Sequence, residues 1–113
     1  MIFEKSGQTT EVRNEMRGGV GEIALTALCG ELPAKMRLFT KIVVAPGSSI
    51  GEHVHEGETE LFYFAKGNAT VLDDGVRKSV SAGDVMSTGS GHSHSVINEG
   101  DEDVVMIAAI VLD

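Results

Sequence analysis

The chain has 113 residues, 42% of them hydrophobic and 23% charged, the make-up expected of one soluble globular domain spanning residues 1–113. A formal net charge of −8 leaves no basic stripe to neutralise phosphates, so neither nucleic acid nor an anionic membrane surface is an expected partner. The single cysteine, Cys29, excludes an internal disulfide, suits a reducing cytoplasm and reads as a small buried hydrophobe.

The first residues, Met1 to Gly7, contain no apolar run of the kind a secretory leader carries. Asn14 to Arg17 is the only stretch with helical character. Gly21 to Cys29 is rich in strand formers, and Arg37 to Val44 is a second strand ended by the turn Ala45-Pro46-Gly47. Glu52 to His55 resumes extended structure after Gly51, and Thr59 to Ala65 is strongly β in composition. Gly67 breaks the chain. Ala69 to Leu72 and Val76 to Val80 then flank Asp73-Asp74-Gly75, a short hairpin signal. Ala82-Gly83-Asp84 is a turn, Val85 to Ser87 a short strand, and Gly89-Ser90-Gly91 another turn. His94 to Asn98 and Val104 to Leu112 close the series, joined by the acidic loop Glu99 to Asp103. The last run is far shorter than the roughly 20 residues that span a bilayer. It reads as a buried final strand. Short, evenly spaced strands predict an all-β sandwich or barrel.

All four histidines lie in two His-x-His pairs, His53-Val54-His55 and His92-Ser93-His94, each behind a glycine-rich turn. Two histidines one residue apart on a strand point to the same face and can converge on one ion. A carboxylate just beyond the turn can complete that side of the site. On the next strand, Glu60, Phe62 and Phe64 share one face, and Leu61, Tyr63 and Ala65 the other. If Glu60 faces an ion, Phe62 and Phe64 wall the cavity around it and Tyr63 points away. His94 shares its face with Val96 and Asn98.

These residues resemble the cupins, a family of small jelly-roll barrels also described as double-stranded β-helices. The family's first motif is Gly, five residues, His-x-His, three or four residues, Glu, six residues, Gly. It is met by Gly47, His53, His55, Glu60 and Gly67. The second motif is met by Gly83, Gly91, His94 and Asn98, with Gly89 where proline is usual. The resemblance implies that His53, His55, Glu60 and His94 hold one divalent transition metal ion. Glu58 is the one competitor for the Glu60 role, and Glu52 and Glu56 read as charges solvating a turn. His92 falls outside the implied ligand set; the readings open to it are a place behind the ligands or at the pocket rim, which is favoured, and a surface position.

Mixed nitrogen and oxygen ligands suit Mn, Fe, Co, Ni, Cu or Zn. A closed structural zinc site is disfavoured, because such sites are usually rich in cysteine. Four protein ligands on an ion that prefers six leave two positions for a bidentate oxygen ligand such as a carboxylate, diketone or enediol. The expected cavity walls are Phe62, Phe64 and one or more of Met36, Met86 and Met106, and for each of these taken singly plain core is the better reading. Two functional readings are open. One is a metalloenzyme of cupin type, a dioxygenase, decarboxylase, oxidase or isomerase acting on a small oxygen-rich substrate. The other is a non-catalytic module that binds a small ligand. The resemblance also implies a homodimer, with about the first 30 residues packed against the partner.

Overall fold

A computed structural model describes residues 1–113. Ten strands form two antiparallel sheets. They are β1 (Thr10–Asn14), β2 (Glu22–Ala27), β3 (Met36–Val44), β4 (Ser49–Val54), β5 (Glu58–Lys66), β6 (Asn68–Asp73), β7 (Val76–Ser81), β8 (Val85–Thr88), β9 (Ser93–Ile97) and β10 (Val104–Leu112). The larger sheet has the order β1-β2-β3-β10-β5-β8 and the smaller β4-β9-β6-β7. From β3 onward the chain crosses repeatedly between them, the winding of a jelly roll. No helix is long and apolar enough to cross a membrane.

Period-two alternation builds the core. Along β5, Glu58, Glu60, Phe62 and Phe64 are buried while Leu61, Tyr63 and Ala65 face outward. β10 buries Val104, Met106, Ala108 and Ile110 in the same way. Strands of both sheets contribute to one apolar cluster of 13 residues, which includes Ile23, Val44, Ile50, Val71, Val96, Met86 and Met106. Met36 departs from the expected set: it lies half-buried at the start of β3 and is not part of that cluster. A register shift between Ile110 and Val111 of β10 falls opposite this end of β3 and disturbs the inward alternation there.

Local chemistry explains the turns. The hairpin of β6 and β7 closes on Asp74 (φ 50°) and Gly75 (φ 79°), the two left-handed residues of the tight hairpin turn that matches strand twist. The helical reading of Asn14 to Arg17 does not hold. Asn14 ends β1, and one 3-10 turn, Met16–Gly18, comes after it, with Glu15 and Arg17 left-handed. A single turn with these dihedrals, running into Gly18-Gly19, cannot propagate into an α-helix. This turn lies hard against β4. A Cβ on Gly51 would sit 2.0 Å from the Arg17 carbonyl oxygen, so only glycine admits the contact.

Asn98 ties three backbone segments together. It is buried; its amide donates to the carbonyls of Val44 (2.9 Å) and Glu102 (2.7 Å), and its oxygen accepts the Gly100 N–H (3.0 Å). Asn98→Ala leaves these groups unpartnered and is expected to cost roughly 2–4 kcal/mol. Thermal unfolding should register this as a midpoint about 10 °C lower or more. A midpoint unchanged within a degree or two would show that water replaces the side chain without loss.

Candidate metal centre

The two sheets deliver the motif residues to one place. His53 of β4 and His94 of β9 are direct cross-strand partners, after a bulge between Ile50 and His53 re-aims the strand. His55 lies just past the end of β4 and is held by backbone bonds from its N–H to the His92 carbonyl (3.1 Å) and to its own carbonyl from Gly91 N–H (2.7 Å). Glu60 reaches in from β5 of the other sheet, paired with Thr88. One ligand atom from each of His53, His55, Glu60 and His94 lies within 4.8 Å of all the others.

The outer nitrogens orient the inner ones. The Nδ1 of His53 donates to the Gly51 carbonyl (2.8 Å), and a carbonyl can only accept. The Nδ1 of His55 donates to the Glu58 carboxylate (2.7 Å). His94 meets the Thr88 hydroxyl through Nδ1 (2.8 Å) and stacks on Phe62 at 4.8 Å between centroids. With these bonds made, His53 and His55 turn unprotonated Nε2 atoms inward. The Nε2 atoms of His55 and His94 are 3.0 Å apart, those of His94 and His53 3.2 Å. Oε1 of Glu60 is 3.1 Å from Nε2 of both His55 and His94. Lone pairs facing one another and a carboxylate repel unless a cation sits among them. An octahedral ion with bonds of about 2.1 Å spaces adjacent ligand atoms by about 3.0 Å. The residues present therefore fit a divalent transition metal. Burial is the main cause that holds His53 below the usual imidazole range, opposed by the Gly51 hydrogen bond and assisted by the neighbouring His94, Arg17 and His55. The direction favours the neutral ring that ligation requires.

Glu58 stands behind the cluster. Both its oxygens take N–H groups of Arg37, from Nε at 2.6 Å and Nη2 at 2.7 Å, and Oε2 also receives the His55 proton. The Arg37 hydrogen bond is the main cause that lowers its pKa to about 2, with His55 adding to it. Glu58 is thus a carboxylate that fixes the ring of a candidate ligand histidine, an arrangement that raises the basicity of such a ring. Its role is legible in principle from sequence: Glu58 and Glu60 are two apart on one strand and so share the inward face.

A cavity of about 330 Å³ opens onto Glu60, lined from β1, β2 and β3 by residues that include Arg13, Leu25, Arg37, Leu38, Thr40 and Ile42. None of the expected wall residues lines it. Phe62, Phe64, Met86 and Met106 are core instead, with Phe62 backing His94. His92 is placed otherwise as well. Its ring is exposed and its Nδ1 bonds Asp74 at 2.6 Å, because the β6–β7 turn reaches over to it. The wall residues carry no motif, and strand pairing alone brings them to the site.

Glu58→Gln should leave the barrel folded and weaken metal binding about 10- to 100-fold, while Glu60→Gln should weaken it further. Equal affinity of Glu58→Gln and the parent, read by competition with a chelator, would remove Glu58 from the site. Because the folded pKa of Glu58 lies below that of an unfolded glutamate, its contribution to stability is complete above about pH 4.5. It fades as the pH falls toward 2. In acid titrations of the metal-free proteins, parent and Glu58→Gln should differ most above pH 4.5 and converge near pH 2.

The cupin-domain family matches residues 40–110. The chain is 40% identical, over 99% of its length and 94% of the relative's, to a protein of Thermotoga maritima named oxalate-binding protein. The crystal structure of a predicted oxalate decarboxylase from Thermotoga maritima superposes with a TM-score of 0.94 at 40% identity, covering all of both chains. A cupin 2 conserved barrel domain protein from Salinispora arenicola gives 0.69 at 31% identity, over 89% of this chain and 81% of its own. A jelly roll whose motif histidines and glutamate meet at one point, matched along more than half its length, is a member of the cupin family.

Proposed function

We propose that this cupin binds a small oxygen chelator of the carboxylate class through one divalent transition metal ion held by His53, His55, Glu60 and His94. The observation that carries the reading is the convergence of three imidazole Nε2 atoms and the Glu60 carboxylate beside the cavity into which Glu60 opens. When bound, the ion supplies Lewis acidity and two positions for a chelating ligand. Glu58 and Arg37 hold His55 in register, Thr88 and Phe62 hold His94, and Gly51 holds His53. The name of the Thermotoga maritima relative, oxalate-binding protein, makes oxalate the first probe.

Binding is favoured over turnover by one feature of the cavity. Every charged side chain that lines it is already committed: Glu11 to Arg13 at 3.0 Å, Arg37 to Glu58, and Glu60 to the proposed ligand set. A decarboxylase or oxidase needs an acid or base free to exchange a proton with its substrate. Elemental analysis of untagged protein, purified without chelators, should find close to one transition metal ion per chain. Calorimetry should then show oxalate binding to the metal-loaded protein and no binding to His55→Ala, which keeps its fold by circular dichroism and loses the metal. Steady consumption of oxalate would overturn the binding reading in favour of the enzyme. Protein that refuses added metal would overturn both.

A homodimer belongs to the same proposal. The outward face of the larger sheet is apolar. Tyr63 pairs with Ile107 on one side and Val85 on the other, Leu61 pairs with Ala109, and Leu61, Tyr63, Val85 and Val111 are exposed. A second copy of the chain is the occupant proposed for it. The double variant Tyr63→Glu, Val85→Glu should sediment at half the parent mass. An unchanged mass would clear this face of the role.

A further inference from the structure

We infer that the preferred ligand is a monoanionic acid with an apolar body, a 2-oxo or 2-hydroxy acid carrying a branched aliphatic side chain, and not a bare dicarboxylate. The inference rests on the chelator reading above and narrows it by size, wall chemistry and charge.

The cavity beside Glu60 has a volume of about 330 Å³. At about 30 Å³ for each water, that is room for roughly eleven waters, several times what an oxalate would displace. It falls within the range of cavities that enclose ligands larger than a simple dicarboxylate. Its walls suit a hydrocarbon. Met16, Leu25, Leu32, Leu38, Phe39 and Ile42 all line it. An oxalate bound at Glu60 would leave most of that apolar surface facing water. A branched side chain would cover it, with about a fourfold gain in affinity for each methylene buried.

Charge points the same way. A divalent ion with Glu60 carries a net charge of +1. The other charges lining the cavity cancel in pairs, Arg13 with Glu11 and Arg37 with Glu58. A monoanion therefore neutralises the site, whereas a dianion leaves an excess negative charge close to Glu60, which is itself buried. Arg37 commits two of its five N–H groups to Glu58, so donors remain on a cavity-lining guanidinium for the ligand's carboxylate.

The test is a calorimetric series on manganese(II)-loaded protein with pyruvate, 2-oxobutanoate, 4-methyl-2-oxopentanoate and oxalate. Affinity should climb through the three 2-oxo acids, by at least tenfold from first to last. The last should bind more tightly than oxalate. Leu38→Ala, checked for fold and metal content, should reduce the ratio of 4-methyl-2-oxopentanoate to pyruvate affinity severalfold. A flat series, or oxalate tighter than every 2-oxo acid, overturns the inference and leaves the chelator reading standing. Metal-loaded protein that binds none of the four overturns the chelator reading itself.

Discussion

The site depends on what happens at the far side of each imidazole ring. A histidine on a strand has two nitrogens and a free torsion, and nothing in a His-x-His spacing decides which nitrogen faces inward. Here a backbone carbonyl at Gly51, a carboxylate at Glu58 and a hydroxyl at Thr88 take the Nδ1 atoms, and three Nε2 atoms are thereby directed to one point. The most constrained of these anchors is Glu58. Arg37 grips both its oxygens from β3 while His55 draws on one from the end of β4, so three segments of chain are locked by one carboxylate. The anchoring network is stable because its members are satisfied: both oxygens of Glu58 and the Nδ1 atoms of His53, His55 and His94 all have partners.

This arrangement also shows why the fold needs two sheets. The histidines come from β4 and β9 of the smaller sheet, and the carboxylates Glu58 and Glu60 from β5 of the larger. The candidate ligand set exists only where the sheets close on each other. Phe62 serves both tasks: it is part of the shared core and stacks flat on His94. Packing and ligand geometry are therefore one constraint, since rotating His94 would open a gap against Phe62.

Much of this is legible in the sequence because it is periodic. The alternation of β5 places Glu60, Phe62 and Phe64 inward and Tyr63 outward, and turn chemistry alone marks the Asp74-Gly75 hairpin. Motif spacing groups His53, His55, Glu60 and His94. The expectations that stay open and those that fail have physical causes. Met86 and Met106, which suit either wall or core, lie in the core. His92, expected near the pocket, bonds Asp74 at the surface. Asn14 to Arg17, expected to be helical, is a strand end and a turn. For Asn14 to Arg17 the left-handed Glu15 and Arg17 decide the outcome, and for the methionines and His92 partners distant in sequence do. The cavity wall is the extreme example, because Leu25 and Ile42 face each other only through the pairing of β2 with β3.

The backbone contact between Gly51 and Arg17 separates two kinds of change. It seats the segment ahead of β2 against the strand that carries His53 by close main-chain approach, and the Val20 N–H adds a bond to the Ser49 hydroxyl. Side chains on β1, β2 and the start of β3 contribute most of the cavity wall, yet none of them is a candidate metal ligand. Apart from Arg37, which grips Glu58 behind His55, the cavity-lining side chains of the first third of the chain can therefore vary without disturbing the candidate binding cage, much as a handle can be refitted to an unchanged blade. Families built this way should keep one chemistry while diverging in the molecules they admit, and the divergence should be sought ahead of the histidines.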